Sequence, residues 1–403
     1  MRILQVTNFF KPSWEAGGPA KITYELSKKL LERGHEVTVY TTDGFKRRLN
    51  VEKNRPVDVD GIRTYYFRNL SKSLVTKIST LPYYAPLIAR KEITDFDIIH
   101  INELNMLGFL VHRYAKKYKI PYVLQGHGSL FFKISGRVTF SSEGNIVITK
   151  KRLLGRMWNV LFERPTLYNA SKIIALTEKE AEECKKINVD ENRIVIIPNG
   201  INLNLYENLP KRGEFRSKYS IKDNERLILY LGRIHKIKGI NLLIKAFASL
   251  LKELKDVRLV IVGPDDGFMP TLMKHVRESN IDNRILFTGP LYEKEKLTAY
   301  VDADVYVLPS IYETFPNTIL EAWACGTPVI VTNRCGIADF VDKVGYVVKY
   351  NEDQLRGAIS KIISDEELRK RIGAESKKLV RKEFSLDKVI GKIEALYETI
   401  LAK

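Results

Sequence analysis

The sequence predicts an α/β protein made of two doubly wound parallel-sheet domains. Short β-branched runs alternate with amphipathic stretches along the whole chain, the pattern of parallel strands with helices on both faces. That rhythm breaks in the polar stretch 206–224 and then restarts. The length of 403 residues, 44% of them hydrophobic, exceeds one ordinary domain and supplies two cores.

Each element follows from its residues. "ILQV" reads as the first strand, and Ile22, Leu26 and Leu30 recur at four-residue intervals as one face of a helix. "RGH" stops that helix before the strand "EVTVY". "FDIIHI", "PYVLQ", "KIIAL" and "RIVII" are further strands of the first domain. "LILYL", "RLVIV", "RILF", "DVYVL" and "PVIV" are those of the second, with helices such as "INLLIKAFASLLKEL" between them. The expected domains are residues 1–205 and 206–385, with a terminal helix over 386–403 packing back on the first.

Composition narrows the function. No apolar run reaches the ~18–20 residues of a membrane span, and "MRILQVTNFF" lacks a signal-peptide pattern. Cys184, Cys325 and Cys335 are an odd, sparse set without a CxxC pair, which argues against a disulfide framework and a structural zinc site. A cytoplasmic location is the simplest expectation. The net charge of +18 is uneven: residues 1–200 hold 33 basic against 20 acidic side chains, and residues 111–172 hold 12 against 2. That balance suits an anionic partner: nucleic acid, phospholipid headgroups or a phosphorylated substrate. It equally suits a plain solvated surface. No zinc knuckle, helix-turn-helix or aromatic-rich RNA signature accompanies it, so nucleic acid is not an expected partner.

In open parallel sheets, ligands bind past the carboxyl ends of the strands. Gly17 and Gly18 follow the first strand and open a helix, where backbone approaches a ligand closely and anions are favoured. There is no GxGxxG fingerprint and no P-loop, so NAD and ATP are poorly supported. His127 stands between two glycines after "PYVLQ". Arg233 follows "LILYL", and Lys238 precedes the next helix; two cations there suit a diphosphate. Lys236 reads as solvated. After "DVYVL" comes "PSIYETFPNTILEAWACG", with Glu313 in a loop and Glu321 about one turn into a helix that begins near Asn317. Thr318 and its neighbours would offer helix N-terminal N–H groups there. Carboxylates accept hydrogen bonds from vicinal hydroxyls, so the pair fits a sugar and a ribose. The alternative for Glu321 is a salt-bridged glutamate, since burial beside "AWACG" without a partner is costly.

These pieces, in this order, resemble the retaining glycosyltransferase family 4 of the GT-B fold, the glycosyl transferases group 1. The matching elements are "GG" before "LLERGHEVTVY", "FDIIHI", "GHG", "IPNGIN", "LGRIHKIKGINLLIKAF", "LVIVGPDD", "ILFTGPL" and "YETFPNTILEAWACGTPVIVTN". The resemblance implies two Rossmann-like domains facing a central cleft, with the acceptor on the first and a nucleotide-sugar donor on the second. It implies that Glu313 contacts the transferred sugar, Glu321 the ribose, and Arg233 and Lys238 the diphosphate. His127 would reach the sugar near the reacting carbon. The loop of Gly17 and Gly18 would approach the phosphates or the acceptor. Gly232 and the backbone of Phe315, Pro316, Asn317 and Thr318 are assigned to the donor, and Leu291 to the base. The chain has "ETFP" where the family often has "EGFG". It has Asn202 where an Asp is common. "CGIAD", with Gly336 and Asp339, replaces the usual "GG" and acid.

The implied reaction transfers a sugar from a UDP- or GDP-sugar to an acceptor hydroxyl of a glycan or lipid-linked molecule, with retention at the anomeric carbon. No cofactor and no metal are expected. The D-x-D pairs Asp58/Asp60, Asp95/Asp97 and Asp302/Asp304 read as polar residues at strand edges. The segment "KKRLLGRMWNVLF" (150–162) mixes cations with Leu153, Leu154, Met157, Trp158 and Leu161, as a peripheral contact with anionic membrane would, or as a helix packed on its own domain would. A GT-B sugar-nucleotide epimerase is the alternative enzyme; it needs further acid/base groups that the sequence does not place. A basic nucleic-acid-binding protein and a binding-only relative are weaker alternatives.

Overall fold

The computed structural model describes residues 1–402 apart from 15–16, 45–47, 70–84, 127, 129, 136, 141–145 and 150–152. The chain divides into two compact units, one of residues 1–139, 148–200 and 386–403, the other of 140–147 and 201–385. The sequence reading puts the boundary at 205/206; chain contacts put it at Gly200/Ile201.

The first unit holds an eight-stranded sheet of β1 (Arg2–Val6), β2 (Glu36–Thr42), β3 (Pro56–Val59), β4 (Ile62–Phe67), β5 (Ile98–Ile101), β6 (Tyr122–Gln125), β9 (Lys172–Ala175) and β10 (Ile194–Ile196). A separate two-stranded ribbon pairs β7 (Arg137–Phe140) with β8 (Ile146–Thr149). The order across the sheet is β10-β9-β6-β5-β1-β2-β4-β3, and every pairing is parallel except the edge pair β3–β4. That edge hairpin, absent from the expected strands, turns at Asp60 and Gly61, both at positive φ, as the Asp-Gly turn favours.

Strand side chains alternate between two apolar layers. Leu4, Tyr40, Ile99, Leu124 and Ile173 face one layer, while Ile3, Val39, Ile98, Val123 and Ile174 face the other. Because both faces are covered, the strands read as continuous apolar runs rather than as alternating ones. The second layer is closed by the helix Gly18–Glu32, through Leu26 and Leu30, and by the helix Leu386–Leu401, through Val389, Ile390, Ile393 and Tyr397. Polar contacts fix the late helix there: Arg33 meets Glu394 at 2.6 Å, His35 meets it at 2.9 Å, and Tyr397 O–H bonds His100 Nδ1 at 2.7 Å.

The second unit is a six-stranded, wholly parallel sheet of β11 (Arg226–Leu231), β12 (Val257–Val262), β13 (Ile285–Gly289), β14 (Val305–Leu308), β15 (Val329–Thr332) and β16 (Tyr346–Val348). Its order, β13-β12-β11-β14-β15-β16, reverses direction between β11 and β14. The crevice beyond the carboxyl ends of those two strands is the expected ligand position. At the opposite edge, Asp302 accepts from the N–H groups of Gly213 and Arg216. Asp304 accepts from Leu227 N at 2.8 Å, Arg212 at 3.0 Å and Arg216 at 3.2 Å. These carboxylates tie the entry to β14 to the segment before β11.

Candidate active site

The reversal point of the second sheet collects most of the predicted donor residues. β11 runs into Gly232, whose N–H bonds Val262 O at 2.9 Å and whose φ is positive. A Cβ there would stand 3.0 Å from the Tyr230 hydroxyl, which itself donates to Arg233 O at 2.8 Å. Arg233 is exposed and reaches Asp266, after β12, at 2.7 Å. His235 Nδ1 caps the short turn Lys236–Lys238 by accepting from Ile237 N at 3.2 Å. Burial, then the neighbouring Arg233, hold that imidazole below its usual pKa, so it stays neutral. Lys236 is exposed, and the turn ends at Gly239 with φ 67°, where a side chain would strike the Pro309 carbonyl. Only glycine lets the chains leaving β11 and β14 lie this close.

This contact brings the Lys238 ammonium onto the Glu313 carboxylate, both groups largely buried, with Ser310 Oγ at 3.4 Å from the same oxygen. The Glu313 backbone is pinned in turn: its carbonyl accepts from Gly336 N at 2.8 Å, and it bridges to Cys335. The helix Asn317–Cys325 then starts behind Pro316, an N-cap residue whose side chain makes no capping hydrogen bond. Anionic ligands favour such a terminus. Thr318 Oγ1 is bonded by Tyr306 O–H at 2.7 Å, and Phe315 packs its ring against Phe384. Phe315 therefore serves the core with its side chain. Leu291 is buried two residues past the end of β13.

Glu321 is also buried, and it is salt-bridged: Lys296 Nζ lies 2.6 Å from Oε1 and Tyr300 O–H 3.1 Å from Oε2. Neither partner stood out in the sequence, nor did Asp266 or the Gly336 N–H. Lys296 and Tyr300 are four apart on the helix Glu293–Asp302, the spacing of one face. That periodicity was the available signal; the partner of the face was not. Lys238 and Glu313, assigned to different parts of a ligand, touch each other.

In the first unit, Gly17 has φ 82° and precedes the helix Gly18–Glu32 at the carboxyl end of β1, beside the reversal between β1 and β5. Gly126 and Gly128 are described; His127 lies outside the described residues. Of the segment 150–162, residues 150–152 and the side chains of Leu153 and Leu154 also lie outside them. Met157, Val160 and Leu161 are exposed, whereas Trp158 is half-buried against Phe162, 4.6 Å between rings. Among the described residues, no group of three or more His, Cys, Asp and Glu could hold a metal ion, and no helix is long and apolar enough to cross a membrane.

Two family patterns match this chain: Glycosyltransferase Family 4 over residues 16–205, and Glycosyl transferases group 1 over residues 211–379. The chain belongs to glycosyltransferase family 4. Among curated family members, it is 25% identical to the N-acetyl-alpha-D-glucosaminyl L-malate synthase of Bacillus anthracis, over 96% of this chain and 94% of that one. It is 28% identical to the alpha-monoglucosyldiacylglycerol synthase of Streptococcus pneumoniae, over 89% and 77%. Among solved structures, Anabaena HepE in complex with UDP and glucose superposes with a TM-score of 0.76 at 18% identity, over 99% of this chain and all of that one. The two units are thus those of a GT-B glycosyltransferase, and the protein is a glycosyltransferase.

Proposed function

We propose that this family 4 enzyme transfers a sugar from a UDP- or GDP-sugar to an acceptor hydroxyl, with retention of anomeric configuration and without a metal ion. The observation that carries the reading is the Lys238–Glu313 pair at the reversal point, beside the N-terminus of the helix Asn317–Cys325. In this reading, donor binding exchanges that internal pair for two external ones. Lys238 and Arg233 take the diphosphate, Glu313 accepts from hydroxyls of the transferred sugar, and Glu321 accepts from the ribose. Gly232 and the backbone of residues 315–318 frame the donor, and Leu291 lines the base. The UDP in the Anabaena structure favours a uridine donor.

The chemistry needs charge stabilisation more than a protein base. As the bond from the anomeric carbon to the phosphate oxygen breaks, the diphosphate gains negative charge. Lys238, Arg233 and the helix N-terminus stabilise that charge more in the transition state than in the bound donor. The acceptor oxygen bonds to the same face of the sugar, and its proton passes to the departing phosphate oxygen. Glu313 and Glu321 therefore bind hydroxyls and do not act as a hydrolase acid/base pair. His127 and the loop of Gly17 and Gly18 are assigned to the sugar and acceptor side.

The acceptor is proposed to be a glycan or lipid-linked molecule in polysaccharide or glycolipid synthesis, a reading that the name of the pneumococcal relative favours. The exposed Met157, Val160 and Leu161, beside the exposed Arg156, support peripheral contact with anionic membrane at the cytoplasmic face. Calorimetric titration of UDP, GDP and ADP, alone and as diphospho-sugars, into wild type and Glu321→Ala tests the donor site. Selective binding that the substitution weakens supports it; no binding by any of them refutes it. The anomeric configuration of the product, read by NMR, tests retention.

A further inference from the structure

Glu321 sits on a helix whose neighbouring residues Leu320, Ala322, Trp323 and Ala324 are all buried, and only 8% of its side chain meets solvent. A carboxylate so placed is costly unless it is paired and hydrogen-bonded. Lys296, itself 18% exposed, supplies the cation at one oxygen, 2.6 Å away, and Tyr300 supplies a hydroxyl to the other at 3.1 Å. These two donors, at opposite oxygens, fix the plane of the carboxylate as well as its charge. The Tyr300 ring is in turn held 5.7 Å from Tyr306, whose hydroxyl bonds Leu231 O and Thr318 Oγ1. The carboxylate is thereby tied to the end of β11 and to the start of its own helix.

We propose that Lys296, with Tyr300, is a positioning residue that keeps Glu321 ionised and oriented to accept hydrogen bonds from the vicinal hydroxyls of the donor's ribose. The proposal rests on the reading of Glu321 as the ribose-binding residue. Its chemistry is that of acceptor and donor counts. A vicinal diol offers two O–H donors side by side, and an ionised carboxylate is acceptor-only with about four acceptor sites. A protonated carboxyl would put an O–H where one of the diol's hydroxyls has to donate. Lys296 guards against that protonation. Among the described residues, Cys325 on its own helix and Tyr306 on β14 also interact electrostatically with Glu321. Tyr206 and Cys325 also face Tyr300. Lys377 lies beside Gly326 and Cys325, at the far end of the helix.

The test compares UDP, GDP and ADP with their 2′,3′-dideoxy counterparts by calorimetry, from about pH 6 to about pH 9. The enzymes are wild type, Lys296→Met, Lys296→Gln, Lys296→Arg, Tyr300→Phe and Glu321→Gln. Wild type should prefer the ribonucleotide at every pH. Removing the cation should cut that preference about tenfold near pH 6 and restore it as pH rises, because the uncompensated buried carboxyl ionises only at higher pH. Lys296→Arg should keep the preference, and Tyr300→Phe should lose part of it at all pH values. Lys296→Gln repeats the test with a polar side chain, in case the methionine impairs folding. If both neutral variants keep the wild-type preference and pH profile while Glu321→Gln loses the preference, Lys296 does not position Glu321. If Glu321→Gln itself keeps the preference, the ribose reading fails, and this proposal falls with it.

Discussion

Replacing Gly336 by Ala should damage the proposed donor site without touching any side chain assigned to the donor. The Gly336 φ does not require glycine; the close approach of neighbouring backbone does. A Cβ there would stand 3.0 Å from the Thr314 carbonyl carbon, nearer still to its oxygen, and 3.3 Å from Glu313 O. Two stretches of backbone face each other, so no flexible side chain can yield. One of them carries the Gly336 N–H···O=C bond to Glu313. Relieving the overlap moves the 313–315 backbone by on the order of an ångström, and a misplacement of that size at a reacting centre costs about 10²-fold in rate. The folding cost is that of overpacking, about 1–3 kcal/mol. At about 2–4 °C per kcal/mol for a unit of this size, the melting temperature should fall by roughly 2–12 °C. Steady-state kcat/KM for the donor and a thermal melt read both effects. Gly357 is the control: it is exposed on the helix Glu352–Ser364 with nothing within 4 Å of an added Cβ. Gly357→Ala should stabilise the protein by about 0.5–1 kcal/mol. A Gly336→Ala enzyme with wild-type kcat/KM and melting temperature would refute the reasoning.

The other expectations concern charge. Lys238→Met should lower kcat/KM by about 10²–10³, as loss of one transition-state donor does, and wild-type turnover would remove Lys238 from the chemistry. Activity should survive exhaustive treatment with a chelator; loss that added Mg²⁺ or Mn²⁺ restores would overturn metal independence. Burial pushes the Glu180 carboxyl up to about 8, although Leu176 N donates to it at 2.8 Å. Its stability contribution is thus full below the unfolded value of ~4.3 and is lost as pH rises toward 8. Glu180→Gln should gain melting temperature over wild type across that window and show a constant difference above it; a difference flat from end to end would refute the burial argument. Burial, with Lys116 and Arg113, pushes His112 down to about 4, so its contribution is full above ~6.5 and is lost as pH falls toward 4. His112→Gln should flatten the acid limb of the melting curve against pH, and an unaltered limb would count against a neutral buried His112.

The parallel sheets were legible because strands covered on both faces become apolar runs, and "ILQV", "FDIIHI" and "DVYVL" all became such strands. The hairpin β3–β4 was not, because an edge strand such as "PVDV" alternates polar and apolar residues and lacks that signal. Arg233, Lys238 and Glu313 were legible as residues that follow strands. Their mutual geometry was not: Lys238 and Glu313 are 75 positions apart, and the sheet reversal that joins them appears only once strand order is known. The sequence leaves Glu321 open as ribose-binding or salt-bridged, and it has a salt-bridge partner in Lys296. Sequence could not name that partner, because a lysine in "YEKEKL" looks like any solvated cation until the helix face it occupies is seen.

The helix Leu386–Leu401 completes a layer that begins at Ile3. A ribosome that has made the whole β1–β10 sheet therefore still has nearly two hundred residues to add before the cover for one of its faces emerges. At about 5–20 residues per second, that interval lasts roughly 10–40 s. During it, Ile3, Val39, Ile98, Val123 and Ile174 share one incompletely covered surface, open to chaperones and to neighbouring nascent chains. Yield in the cell should accordingly respond to translation speed and to chaperone supply more than the finished protein's stability would suggest.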